Sequence, residues 1–490
     1  MMKLRYSEKM EALKFKPLFC EKSDRKRSLP FHRVHGMVPL MSLKISRILH
    51  AGYVFECEGT QIVFDPIFEN PFSRNCHAYP DVRFDLEQIR DLRFAAVFIS
   101  HYHDDHCSLE SLNLLDRSTP IYIYCLHEEL LSLIRELGFL QVHSLHLNRP
   151  VPVGPFEVIP RRALDAEVDS LFQIKARGLN VLNVVDSWLD PETLFLLSQE
   201  GPWDLVLWPF QTMREVEVLS PRRAPPAVLQ LPQEWREQLK TLEPRYVVPS
   251  SCQFRQEPWS WYNSALFPIT YQQFQKEVED LLPQARVVRM NPSVSMVLGK
   301  VSLETTVPLS WVFPVGDQEV DYEYRSDLKP PSTAEIARNL PALSAPQRAR
   351  VMEYCRSELL RRYRELAPSQ EAYFAKPRLW RLSLYDQNGE ATHFWYELRP
   401  GGIEPAPENQ NDLAWTTELP AVKLLGALEA GESLTSMYVR INNECFSEES
   451  EKEISMADLL EDPLLRCLFS GSIGAYQAAQ LRRLQDAGCE

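Results

Sequence analysis

The chain has 490 residues, 44% of them hydrophobic and 10% aromatic, which is enough for packed cores in two or more domains. Its net charge of −14 argues against a large basic surface for a nucleic-acid backbone. No apolar run reaches the roughly 18 residues that a membrane helix needs. The ten cysteines are scattered without a C-x-x-C pair, as expected of free thiols in a reducing, cytoplasmic setting.

From Lys3 to Arg33 the chain carries ten basic against four acidic side chains and no apolar stretch suited to a signal peptide. Residues 1–42 are read as a disordered or non-native extension, with Met37 or Met41 as alternative starts. A basic arm that touches a partner is the other reading. Residues 43–300 then alternate strand-like and helix-like stretches. Strands are expected at 43–48, 53–57, 61–64, 95–99, 121–124, 156–159, 171–176, 181–185, 205–207, 246–248 and 294–298. Helices are expected at 108–116, 128–137, 192–198, 233–242 and 272–282. Interleaving of this kind predicts an α/β fold of sheets covered by helices. Residues 301–345, rich in Pro and charge, are expected to be a linker. A C-terminal α+β domain, 346–490, begins with an amphipathic helix at 349–366. Its strands 378–385 and 391–398 flank Asp386-Gln387-Asn388-Gly389, where Asn-Gly is a strong hairpin turn. Helices near 419–430, 456–468 and 473–487 and a strand at 435–441 complete it. Its expected role is homodimer formation or covering of substrate.

The chemistry concentrates in residues 101–106, His-Tyr-His-Asp-Asp-His, directly after the apolar run Phe94 to Ser100. Three of the chain's eleven histidines fall in these six positions. His101 and His103 alternate on an extended segment and so project to one side, while Asp105 and His106 fall near the start of the next helix. Imidazole and carboxylate are the donors that hold Zn, Fe or Mn.

The segment Val97-Phe98-Ile99-Ser100-His101-Tyr102-His103-Asp104-Asp105-His106 resembles the metal-binding loop of the metallo-β-lactamase superfamily. Upstream, Leu49-His50-Ala51-Gly52 and Ile62-Val63-Phe64-Asp65-Pro66 resemble strand ends of its lactonase and phospholipase D-like branch. The resemblance covers about residues 43–300 and implies an αββα sandwich holding one or two divalent metal ions. It implies His101, His103, Asp105 and His106 as ligands and Asp186, after Val181 to Val185, as the bridging carboxylate. Where the superfamily has a histidine on a middle loop, this chain has Asp165, with Glu167 and Asp169 as fallbacks. The final histidine is absent from Tyr246-Val247-Val248-Pro249-Ser250-Ser251-Cys252-Gln253, leaving Ser251, Cys252 or no ligand there. The expected first site is therefore His101, His103, Asp165 and Asp186. The second, Asp105, His106 and Asp186, is one donor short.

Two roles beyond ligation are expected. Asp105 is a catalytic carboxylate that orients water and takes its proton, and His50 either contacts substrate or hydrogen-bonds to a ligand. Asp65 orients a ligand histidine or the loop backbone. Hydrolysis of an ester, amide or phosphoester of a small molecule or lipid is the leading expectation. The run from Asp165 to Asp186 is also similar to the hydrolase-like domain of CMP-sialic acid hydroxylase, whose Rieske motifs are absent from this sequence. An iron-dependent oxygenase drawing on a separate electron donor is therefore the alternative. A degenerate scaffold is the third. Trp188 and the run Trp259-Ser260-Trp261-Tyr262 either line an apolar pocket or pack a core.

Overall fold

The computed structural model describes residues 42–369, 371–443, 454–471 and 473–487. Apart from Ser42, the expected N-terminal extension lies outside the described residues. Two large mixed sheets form the first unit. One runs, in spatial order, Leu303–Thr306, Ser295–Leu298, Leu43–Arg47, Tyr53–Cys57, Thr60–Phe64, Ala96–Ile99, Ile121–Ile123 and Val142–Ser144. The other runs Arg286–Val287, Tyr246–Ser250, Leu205–Pro209, Leu179–Asn183, Ser170–Ala176, Phe156–Arg162 and Val151–Val153. Each is part antiparallel and part parallel.

The sheets meet face to face through large apolar side chains. Phe64 and Phe98 stack at 5.2 Å on the first sheet, and Phe172 of the second lies 5.0 Å from Phe64. Strands such as Ala96–Ile99 and Leu205–Pro209 are buried at every position, because one face meets the other sheet and the opposite face meets helices. Local chemistry fixes where those helices begin. Asp190 accepts from the backbone of Glu192 and Thr193 ahead of Pro191–Gln199, and Thr270 accepts from Gln273 ahead of Tyr271–Leu281.

Residues 301–345 are not a linker, and that expectation is corrected. Leu303–Thr306 extends the first sheet, Val312–Pro314 pairs with Val82–Phe84, and Trp311 and Tyr322 are buried in the main core. Pro and charge are frequent here because the segment runs along sheet edges, where Pro is tolerated.

The C-terminal unit has a five-stranded sheet in the order Gly402–Pro405, Ala391–Arg399, Arg378–Tyr385, Leu413–Pro420, Arg440–Ile441. The hairpin falls at the expected turn, with Gly389 at φ 80°. The expected strand at 435–441 shortens to Arg440–Ile441. The helix expected at 349–366 is present as Ala345–Glu353 and Leu359–Glu365 joined through one π-turn. This unit is welded to the sandwich: Tyr438 and Leu481 belong to the main core cluster, and Val216 and Leu219 belong to the C-terminal one.

Candidate metal centre

The acidic and imidazole side chains converge at one end of the sandwich, where strands of both sheets stop. Ser100 and His101 follow Ala96–Ile99, Asp65 follows Thr60–Phe64, and Asp186 lies just past Leu179–Asn183. Asp169 immediately precedes Ser170–Ala176, which runs antiparallel to Leu179–Asn183, so it reaches the same end. His50 lies in the turn between Leu43–Arg47 and Tyr53–Cys57.

Three overlapping groups of donor atoms are close enough to hold metal: His101, His103 and Asp169; His101, His106 and Asp186; His50, Asp105 and His106. The Nε2 of His101 is 3.8 Å from Asp169 Oδ1 and 4.0 Å from Asp186 Oδ1. The Nε2 of His106 is 3.6 Å from Asp186 Oδ2, 3.7 Å from Asp105 Oδ2 and 3.3 Å from His50 Nε2. Asp186 thus turns one oxygen to each half of the site. His50 Nε2 is also 3.1 Å from Asp105 Oδ2.

The surroundings aim these donors. Asp65 is fully buried, and its Oδ2 accepts from His106 Nδ1 at 3.1 Å and from Ser100 Oγ at 2.8 Å. Its Oδ1 accepts from the Ser100 backbone N–H at 2.7 Å. Because the Ser100 hydroxyl donates to Asp65, it accepts at 2.9 Å from His101 Nδ1–H. Both imidazoles therefore carry a proton at Nδ1, and both Nε2 atoms face the carboxylates. The Nε2 of His101 is buried and makes no hydrogen bond. A buried polar atom in that condition is costly unless an electrophile completes it.

Electrostatics point the same way. Burial, then the neighbouring His106, pushes the His101 imidazole down to about 3, so it is neutral and ready to ligate. Burial would lower His106 as well, but Asp105 and Asp186 raise it well above the ordinary histidine value. Asp105 itself is held below the usual carboxylate range because His106 and His50 outweigh its desolvation. Three carboxylates around buried imidazoles make a site that demands positive charge, and in the ion-free chain a proton on His106 supplies part of it. The donor set fits one or two divalent cations. Next door, Asp104 is raised to about 7 by burial and then by Asp105, and it takes hydrogen bonds from Ser73 and from Ser433 of the C-terminal unit.

Asp165 does not join these groups; the fallback Asp169 does. The backbone carbonyl of Asp165 accepts from Val168 N at 3.2 Å and Asp169 N at 2.8 Å. One turn of chain therefore separates them, and it is Asp169, 1% exposed, that arrives at the metal end, while Glu167 is exposed. The place of the absent final histidine is also filled differently. Ser251 Oγ donates to Val185 O at 2.7 Å, beside Asp186, and neither Ser251 nor Cys252 enters a donor group among the described residues. His50, expected to contact substrate or hydrogen-bond to a ligand, brings a further imidazole beside Asp105 and His106. Phe72 and Phe254 back its ring at 5.6 and 6.2 Å. The tryptophans serve packing: Trp188 lies on Trp235 at 5.2 Å, Trp259 on Tyr438 at 5.3 Å, and Arg440 sits 4.4 Å over Trp261.

Two stacked mixed sheets carry helices outside, and a histidine–aspartate cluster lies where their strands end. That is the layered arrangement expected from the resemblance of residues 97–106 to the metal-binding loop of the metallo-β-lactamase superfamily.

No family model and no curated protein matches the sequence. Among solved structures the chain is similar to Igni18, a metallo hydrolase from the archaeon Ignicoccus hospitalis. That similarity has 18% identity and a TM-score of 0.37, over 52% of this chain and 98% of that one. It is similar also to CmlA, a diiron β-hydroxylase from Streptomyces venezuelae, at 18% identity and a TM-score of 0.38, over 54% of this chain. The matched region spans 55% of CmlA's length. An isothiocyanate hydrolase from Delia radicum gut bacteria aligns at 13% identity and a TM-score of 0.36, over 52% and 98% of the two chains.

Proposed function

We propose that this chain is a metal-dependent hydrolase of an ester, amide or phosphoester in a small molecule or lipid. In this reading the first ion is held by His101, His103 and Asp169, the second by His50, Asp105 and His106, and Asp186 bridges them. The observation that carries it is the double-sided Asp186, 4.0 Å from His101 Nε2 and 3.6 Å from His106 Nε2. With His50 counted, the second half is no longer a donor short, which speaks against the scaffold reading.

When bound, the ions supply Lewis acidity and water activated for attack near neutral pH. The chain's own side chains do the rest. Asp105 is the most open of the three carboxylates, 23% exposed against 14% for Asp186 and 1% for Asp169. Substrate therefore arrives past Asp105, whose carboxylate orients the attacking water and takes its proton. His50, His101 and His106 are closed off from solvent, which keeps the effective dielectric low around the developing charge. Among the described residues no helix is long and apolar enough to cross a membrane, and the unbridged cysteines support a reducing compartment.

A second reading, iron-dependent oxidation, draws support from the carboxylate standing at Asp169 where an imidazole is usual. Hard oxygen donors shift preference toward Fe or Mn. Metal analysis of protein purified without oxygen separates the two. Zn or Mn with esterase or phosphodiesterase turnover supports hydrolysis, whereas Fe with oxygen uptake and dependence on an added electron donor supports oxidation. Protein that takes up none of these metals overturns both.

A further inference from the structure

The C-terminal unit closes back onto the metal loop through its last helix, Ala475–Ala487, which packs on the short helix Leu109–Leu112. Two glutamines one turn apart on this helix are 2% and 0% exposed. The single amide nitrogen of Gln477 donates to the carbonyls of Tyr102, at 2.9 Å, and Cys107, at 2.8 Å. Those carbonyls bracket His103, Asp105 and His106. Gln480 accepts from Leu109 N at 2.7 Å and donates to Ser108 Oγ at 2.8 Å, completing the buried start of the helix that follows the loop. One turn further on, Arg483 pairs with Glu110 at 2.8 Å.

We propose that Gln477 is a positioning residue for the metal centre, so that the C-terminal helix is a working part of the site. This rests on the metal-centre reading above. A primary amide has two N–H donors, and here both are spent on the two ends of one loop, fixing its span from the far side of the domain boundary. Without the amide, both ends relax and the three donors between them lose register. Partners that orient metal ligands from behind are typically worth about 10–100-fold in affinity.

The test uses the full chain, stripped of metal and titrated with Zn and with Co as a spectroscopic probe. Gln477→Met keeps length and apolar volume but no donor. It is expected to weaken metal binding by about 10–100-fold and to alter the Co visible bands, whereas Gln477→Asn, with both donors on a shorter arm, recovers part of the loss. Arg483→Ala, on the same helix but at the surface, is expected to bind as the parent does. Equal affinity and spectra in Gln477→Met and the parent overturn the proposal, while a parent that binds no metal overturns the metal-centre reading itself. Where the variants fail to fold, hydrogen exchange on the unaltered chain decides. Coupling is reciprocal, so loading metal slows exchange in residues 475–487, and unchanged exchange there overturns the proposal.

Discussion

The sharpest test of the donor set contrasts two aspartates four positions apart. Asp169→Asn removes a carboxylate oxygen 3.8 Å from His101 Nε2 and grouped with His103, whereas Asp165→Asn leaves intact the backbone carbonyl that closes the turn. Four-ligand structural metal sites are worth roughly 10–16 kcal/mol, so one donor carries about 3 kcal/mol. That corresponds to a loss of about two orders of magnitude in affinity for the first ion in Asp169→Asn. In Asp165→Asn the change is expected to stay within about twofold, since no ligand is lost. Competition titration against a chromophoric chelator reads both. The metal-free melting temperature provides an internal control. Asp169 is a buried carboxylate, so neutralising it removes a charge held out of water and leaves the ion-free fold unharmed or slightly more stable while the metal-loaded form loses stability. If Asp165→Asn loses the metal and Asp169→Asn keeps it, the turn geometry has been misread.

Three further outcomes follow from other parts of the molecule. Chelation of the ions is expected to lower the melting temperature by several degrees, because an ion present at about 100 times its Kd stabilises the native state by about 2.7 kcal/mol; an unchanged melt would refute binding to the native state. Asp462→Ala is expected to cost about 3 kcal/mol in chemical denaturation. Asp462 caps Pro463–Phe469 through the backbone of Leu464 and Leu465 and accepts from Trp415 Nε1 at 2.7 Å, so its loss removes the cap and strands a buried N–H. Burial raises Glu69 above the ordinary carboxylate value despite hydrogen bonds from Ser108 and Ser111. Its folded form holds a proton more tightly than the unfolded chain, so its stabilisation is complete below about pH 4.5 and fades as pH rises through the folded value. Glu69→Gln should therefore gain relative to the parent as pH rises from 4 to 7, and an unchanged difference across that range would refute the sign.

The sandwich was legible because its signals are local. Apolar runs such as Val97 to Ile99 and Val181 to Leu182 read as strands wherever both faces are covered, and the loop at 101–106 declares its chemistry by residue type alone. Short edge strands escaped: Val142–Ser144, Val151–Val153 and Leu303–Thr306 are only partly buried, so no periodicity marks them. Asp169 over Asp165 was a matter of which residue a turn presents. Sequence spacing favoured the first aspartate, although the second abuts the apolar strand Ser170–Ala176 and inherits its burial. His50 was visible as a histidine at a strand end. That it faces His106 is a fact of three dimensions, set by the approach of two strand ends 56 residues apart. The partnership of Gln477 with residue 102 spans 375 positions and has no local signature.

The backbone around the site carries a further regularity. Non-glycine residues in the left-handed region include His50 (φ 47°), Asp65 (φ 40°), Val185 (φ 62°), Ser251 (φ 26°) and Cys252 (φ 49°). All five flank the donor cluster, and a β-branched residue such as Val185 is especially unfavourable there. At about 1–3 kcal/mol each, such conformations persist only where the surroundings over-determine them. The restraints are identifiable. Buried Arg47 donates to the carbonyl of His50 and, at 3.1 and 3.0 Å, to those of Pro249 and Met290. Since Arg47 belongs to one sheet and Pro249 to the other, the same guanidinium ties the sheets together and pins the turn that presents His50. Ser251 does the equivalent for Val185 by donating to its carbonyl. Rigid packing between two sheets thus holds the strand ends in positions they would not adopt alone, which is how donors from four separate segments reach one centre before any ion binds.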